Sequence, residues 1–136
     1  MTDREPAAAR LQGLRVLIVE DVAMLAWLVC DVLTYAGAEV VGPAPNVSHA
    51  LALLQGNEVD AAVLDMNLDG ETADPIADVL AKRGVPFVFL TGYAWGDMEG
   101  RHAARPILSK PVRPAVLVGV LADLASRQPS ADGGCR

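Results

Sequence analysis

Five residues in the chain could do chemistry together: the acid pair Glu20-Asp21, the acid Asp65, the hydroxyl of Thr91 and the amine of Lys110. Each group closes a short apolar run. Val-Leu-Ile-Val precedes Glu20, Ala-Val-Leu precedes Asp65, Phe-Val-Phe-Leu precedes Thr91 and Ile-Leu-Ser precedes Lys110. Carboxylates brought within a few ångströms of one another repel, and their pKa values rise unless a cation compensates. A hard divalent ion with oxygen ligands answers that need, and Mg²⁺ (or Mn²⁺ in its place) suits it by keeping several waters and taking one or two carboxylates plus a phosphate oxygen. Lys110 would offer a point charge to one phosphoryl oxygen and Thr91 a hydroxyl donor to another. Together these groups suit phosphoryl transfer onto a carboxylate. Taken singly, each has an ordinary reading. Glu20-Asp21 can cap a helix, Asp65 can end a strand at a turn, Thr91 can be a strand residue and Lys110 a surface amine.

The chemistry therefore depends on elements that bring the five together. Arg15–Val19 is β-branched and of strand length, and Val22 to Ala36 then runs at helical length and stops at Gly37, which suits a left-handed C-cap. A second strand is expected over Glu39 to Gly42, with a turn at Pro43-Ala44-Pro45. A helix should follow from about Ser48 to Leu54, capped by Asn46 or Ser48 and stopped by Gly56. Ala61 to Leu64 reads as strand three, Thr72 to Lys82 as helix three and Phe87 to Leu90 as strand four. Between Tyr93 and Arg105, Gly96 and Gly100 follow Gly92 closely, so a fourth helix there should be short or irregular. Pro106 to Ser109 is the fifth strand, and Pro114 opens a last helix to about Ser126. Strand and helix alternate throughout, which predicts an α/β fold with a doubly wound five-stranded parallel sheet. In such sheets the functional crevice lies at the carboxyl ends of the strands, where Glu20, Asp21, Asp65, Thr91 and Lys110 fall.

At 136 residues the chain has room for one domain, so no output module of its own is expected. The expected division is a flexible segment over 1–13, one domain over 14–127 and a flexible tail over 128–136. Hydrophobic residues make up 52% and charged ones 21%, which excludes a disordered segment, and with only 4% aromatic the core must be built from Ala, Val and Leu. With 11 basic against 17 acidic residues the net charge is −6, which argues against nucleic acid as a partner. Cys30 and Cys135 fit neither a disulfide framework nor a zinc site. No signal peptide and no membrane-spanning stretch is read, so a cytoplasmic protein without a membrane partner is expected.

Stepping at 100° per residue, the first helix turns Val22, Leu25, Ala26, Val29, Leu33 and Ala36 toward the core. Met24, Trp27, Leu28 and Tyr35 fall elsewhere; Met24, Trp27 and Leu28 are candidate partner-docking residues, with a tolerated exposed aromatic as the plainer reading. On the last helix Val116 and Val120, near Gly119 and Asp123, are a candidate homodimer face together with the last strand. Asp69, Asp74, Asp78, His49 and His102 are assigned no chemistry, and Cys30 reads as a core filler.

The pieces Val-Leu-Ile-Val-Glu20-Asp21, Val-Leu-Asp65-Met-Asn67-Leu, Phe-Leu-Thr91-Gly and Ser-Lys110-Pro111 stand in an order that resembles the receiver domains of bacterial two-component response regulators, over about Leu14 to Arg127. The resemblance implies a flavodoxin-like (βα)5 fold with strand order 2-1-3-4-5. It also implies Mg²⁺ held by Glu20, Asp21, Asp65 and the backbone carbonyl of Asn67. Asp65 would accept a phosphoryl group from a histidine kinase or histidine phosphotransfer protein, Thr91 and Lys110 would act as switch and phosphate-binding residues, and Lys110-Pro111 would be a cis bond. Output would pass to a downstream protein target. Pro86-Phe-Val-Phe-Leu-Thr-Gly-Tyr93 further resembles the Pro-Phe-x-Phe-Ala-Thr-Gly-Tyr signature of single-domain receivers associated with HWE-type histidine kinases. One departure is Ile107, where ordinary receivers carry a switching aromatic; Tyr93 is the candidate to take over part of that role. Three other readings stand beside this one: an interaction module that never takes phosphate, a small phosphohydrolase of the aspartyl-phosphate type, and a flavin-binding domain. The last two are disfavoured by Asp65 following the third strand instead of the first and by the lack of a Ser/Thr/Gly-rich phosphate loop after strand one.

Overall fold

The computed structural model describes residues 10–92, 105–110 and 112–127. Seven strands and four helices lie among the described residues: β1 (Arg15–Val19), α1 (Ala23–Tyr35), β2 (Glu39–Ala44), α2 (Val47–Gly56), β3 (Ala61–Asp65), β4 (Asn67–Leu68), β5 (Glu71–Thr72), α3 (Asp74–Lys82), β6 (Phe87–Thr91), β7 (Ile107–Ser109) and α4 (Pro114–Arg127). Five strands form one parallel sheet in the order β2-β1-β3-β6-β7. Because β4 and β5 form a separate hairpin, this is the expected order 2-1-3-4-5. The fourth helix expected between Tyr93 and Arg105 falls, Arg105 apart, outside the described residues, as do Pro111 and the tail 128–136.

Alternation along the central strands builds two cores. On one side Val16, Ile18, Val63 and Val88 pack with Val29, Leu33 and Ala36 of the α1 region and Leu117 and Leu121 of α4. On the other, Leu17, Val19, Leu64 and Phe89 pack with Ala50 and Leu54 of α2 and Ile76, Ala77 and Leu80 of α3. A strand covered on both faces reads as a continuous apolar run, which is why β1, β3 and β6 were legible. Two local signals also act as expected. Gly37 takes φ +99° after α1 while Ala38 donates its amide to Leu33 O at 3.0 Å, a Schellman closure. Asn46 Oδ1 accepts from His49 N at 2.8 Å, so Asn46, not Ser48, caps α2.

Several expectations are corrected. The turn placed at Pro43-Ala44 is strand: β2 continues through both residues, after a cis Gly42-Pro43 bond. Proline is tolerated there because β2 is an edge strand. Residues 67–72, read as loop and helix start, instead form the β4–β5 hairpin, turning at Asp69-Gly70, both at positive φ. Leu11 lies not in a flexible segment but fully buried in the α1–α4 core, its amide donating to Ala36 O at 2.9 Å. Val22 is exposed because it is the N-cap of α1, its amide donating to Glu20 Oε2 at 3.2 Å. Val120 is half-buried against the α1–α4 core, since Leu117 and Leu121 set the inward face and Val120 flanks it. Cys30 is likewise half-buried against that core. No described helix is long and apolar enough to cross a membrane.

Candidate functional site

Register brings the site together. Val19 pairs with Leu64, Asp65 with Leu90, and Thr91 with Ser109, so the strands end nearly level. Glu20 follows β1 and is pinned there by its amide, which donates to Ala44 O at 3.0 Å. Lys110 follows β7, its amide donating to Thr91 O at 2.7 Å. Among the described residues, Glu20, Asp65 and Thr91 are the buried polar or charged side chains, with Glu20 3% and Asp65 4% exposed. Polar groups are seldom buried without partners, so three of them at one end of an otherwise aliphatic sheet mark that end as the place for chemistry.

Glu20, half-buried Asp21 and Asp65 bring one carboxylate oxygen each to within 4.8 Å of one another. Lys110 reaches in from the neighbouring strand end. Its Nζ donates to Asp65 Oδ2 at 2.9 Å and lies 3.1 Å from Glu20 Oε1. Burial pushes the Glu20 carboxyl up to about 7; the neighbouring Asp65 adds to the rise, while Lys110 and the Val22 amide oppose it. For Lys110, burial pulls downward, but the pairings with Asp65 and Glu20 outweigh it and the ammonium is held above its ordinary value.

An ammonium among three carboxylates leaves the crevice short of positive charge. One atom records this locally: Glu20 Oε1 is buried and, although ion-paired with Lys110, receives no hydrogen bond. An all-oxygen donor set with a buried carboxylate oxygen short of a partner fits a hard divalent ion. The residues present therefore fit Mg²⁺ or Mn²⁺.

Glu20, Asp21, Asp65 and Lys110 are thus in direct company, and Thr91 stands at the adjoining strand end. Asn67 opens β4, two residues beyond Asp65, and Tyr93 lies outside the described residues. Met24 and Trp27 stand 72% and 66% exposed on α1, with Leu28 and Tyr35 beside them. Sequence reasoning missed the wall that the hairpin builds: Leu68, Asp69 and Glu71 face Pro45, Asn46 and Asp21 across a cleft of about 560 Å³. The Asp69-Gly70 pair was the available signal, since Asp-Gly favours two-residue hairpin turns.

No protein-family model matches the chain. The TcrA transcriptional regulatory protein of Mycobacterium tuberculosis H37Rv is 32% identical over 130 residues, which is 90% of this chain and 50% of that protein. The chain spans about half the length of the curated relatives it matches. Among solved structures, the response regulator REC domain of Erythrobacter litoralis PhyR superposes with a TM-score of 0.77 at 22% identity, covering 88% of this chain and 95% of that one. That likeness carries the fold alone. SdrG from Sphingomonas melonis Fr1 is 38% identical with a TM-score of 0.72, covering 85% of this chain and 97% of SdrG. Such identity across almost the whole of another protein goes beyond a shared fold: the chain belongs to the response regulator receiver (CheY-like) domain family.

Proposed function

We propose that the chain is a phosphoacceptor in a phosphorelay, taking a phosphoryl group on Asp65 from a phosphohistidine of a histidine kinase or phosphotransfer protein. The observation that carries this reading is the Lys110 Nζ–Asp65 Oδ2 contact of 2.9 Å beside the acid cluster. An Asp65 carboxylate oxygen attacks phosphorus, an O–P bond forms, the N–P bond breaks, and the imidazole nitrogen leaves with the electron pair. Glu20, Asp21, Asp65 and the Asn67 carbonyl would hold Mg²⁺, which supplies charge stabilisation to the phosphoryl oxygens. The product adds a charge of about −1.5 to −2 beside Lys110. Lys110 then shifts from the carboxylate to a phosphoryl oxygen, and Thr91 donates its hydroxyl to another. Ile107 is buried in the α2–α3 core and offers no aromatic swing, so switching runs through Thr91, Lys110 and Tyr93.

The subgroup associated with HWE-type kinases belongs to this reading, supported by Pro86-Phe-Val-Phe-Leu-Thr91 at β6. So does docking of the phosphodonor on Met24, Trp27 and Leu28, supported by their exposure beside the crevice. The downstream protein target, a domain whose start moves back to take in Leu11, and the cytoplasmic location stay with it too. A homodimer through the last strand and helix belongs here too, supported by exposed Val116 with half-buried Val120 on the flank of the core.

Incubation with acetyl phosphate and Mg²⁺ should give one phosphoryl adduct by intact mass, absent in Asp65→Asn. No adduct on the wild type would favour the interaction-only module, and rapid turnover of varied phosphoesters would favour the hydrolase.

A further inference from the structure

A cavity of about 180 Å³ opens between α1 and α4 and reaches the rear of the crevice. Its floor is buried and aliphatic: Val29, Leu90 and Leu117. Leu25, Val32 and Val112 form half-buried walls, and exposed Leu28 and Pro114 form the rim. Only Glu20 and Lys110 bring charge to the lining. Small-molecule sites have this make-up, an apolar concavity with a few convergent polar groups. An apolar cavity of about 150 Å³ stays dry and admits a benzene ring, so this one has room for one ring or two fused rings. The polar end sets the rest of the chemistry. Three carboxylates against one ammonium repel an anionic ligand, and Glu20 Oε1, sealed from solvent and 3.1 Å from Lys110 Nζ, is closed to a molecule in the cavity, so a ligand there is held by its apolar surface.

We infer that this cavity is a binding site for a small neutral aromatic molecule, its ring between α1 and α4. The ligand would lie against Glu20 and Lys110, which line one end of the cavity. The site does not depend on Asp65 ever being phosphorylated, so the two readings fail separately.

The test is titration of the metal-free full chain with indole at pH 8, followed by ¹H–¹⁵N correlation spectra. Indene, of the same shape without the N–H, serves as comparison. Saturable shifts should cluster on residues 25–32, 90, 110 and 112–117, with indole and indene bound about equally. Val112→Phe and, as a second variant, Leu25→Phe fill the cavity from half-buried wall positions and should abolish saturation while leaving the rest of the spectrum in place. Shifts that do not saturate, that centre on exposed Trp27 and Tyr35, or that persist in whichever filled variant folds would overturn the site. Binding of indole about tenfold tighter than indene, the gain expected of a hydrogen bond to a charged group, would overturn the apolar reading of the site.

Discussion

The carboxyl of Glu20 sits where burial and a neighbouring carboxylate both oppose its ionisation. Its value rises from 4.5 to about 7 on folding, so below about pH 7 the folded, metal-free protein holds the protonated form. The stability this contributes is fully present below about pH 4.5 and is lost as pH rises through about 7. Measured against Glu20→Gln, which cannot ionise, the metal-free wild type should lose up to about 3 kcal/mol between pH 4.5 and pH 8. Urea unfolding of both proteins across that range checks it, and a flat difference would mean that burial does not disfavour the charge. The identity of this group was legible in the sequence because an abrupt switch from aliphatic to acidic residues has few explanations at a strand end. Its burial was not, since nothing in Val-Glu-Asp-Val says which acid turns inward. Val22 was misplaced for a related reason: a helical projection counts it with the core face, whereas its amide binds Glu20 and leaves the helix to begin one residue later.

At the scale of elements, β2 and α1 each make a prediction. Gly42 has φ +106°, and a Cβ there would stand 2.9 Å from Ala44 N and 3.0 Å from Ile18 O. Both neighbours are backbone, so neither can move aside cheaply. Gly42→Ala should destabilise the protein by about 1–3 kcal/mol, read as a lowered midpoint in chemical denaturation, and an unchanged midpoint would show that the β2 kink is soft. Trp27 on α1 is two-thirds exposed, and surface changes of that kind usually stay within about 0.5 kcal/mol. Trp27→Ser should therefore leave the denaturation midpoint and the acetyl phosphate reaction alone while slowing transfer from a histidine phosphodonor protein. If transfer from protein and small molecule fall together, the residue acts on the site and not on docking. The five main strands were readable because each carries a short apolar run bounded by polar, glycine or proline residues. The β4–β5 hairpin was not, because two-residue strands are too short to show a period of two, and the proline in β2 disguised an edge strand as a turn.

For the whole molecule, an ion held by the acid cluster would couple metal binding to stability. Mg²⁺ that binds the folded chain and not the unfolded one stabilises it by about 2.7 kcal/mol at a hundred times its dissociation constant. Thermal unfolding should therefore move upward with added Mg²⁺ in the wild type and much less in Asp21→Asn, while a chelator should reverse the shift. Equal shifts in both proteins would place the ion elsewhere. Alternation of elements made the parallel sheet legible from end to end, and motif order fixed which strand ends meet. The sequence held no comparable sign of the hollow between α1 and α4, because a cavity is what neighbouring side chains fail to fill. The contact between Lys110 and Asp65 has one further consequence. The acids arrive on the first and third strands and the amine on the last, 90 residues after Glu20 and 45 after Asp65. Chains are made from the amino end, so a nascent chain displays its three carboxylates before the lysine that balances them has been translated. On the phosphoacceptor reading, a half-made chain lacks the amine that would steady a phosphoryl group on Asp65 and should not hold one before Lys110 has been made.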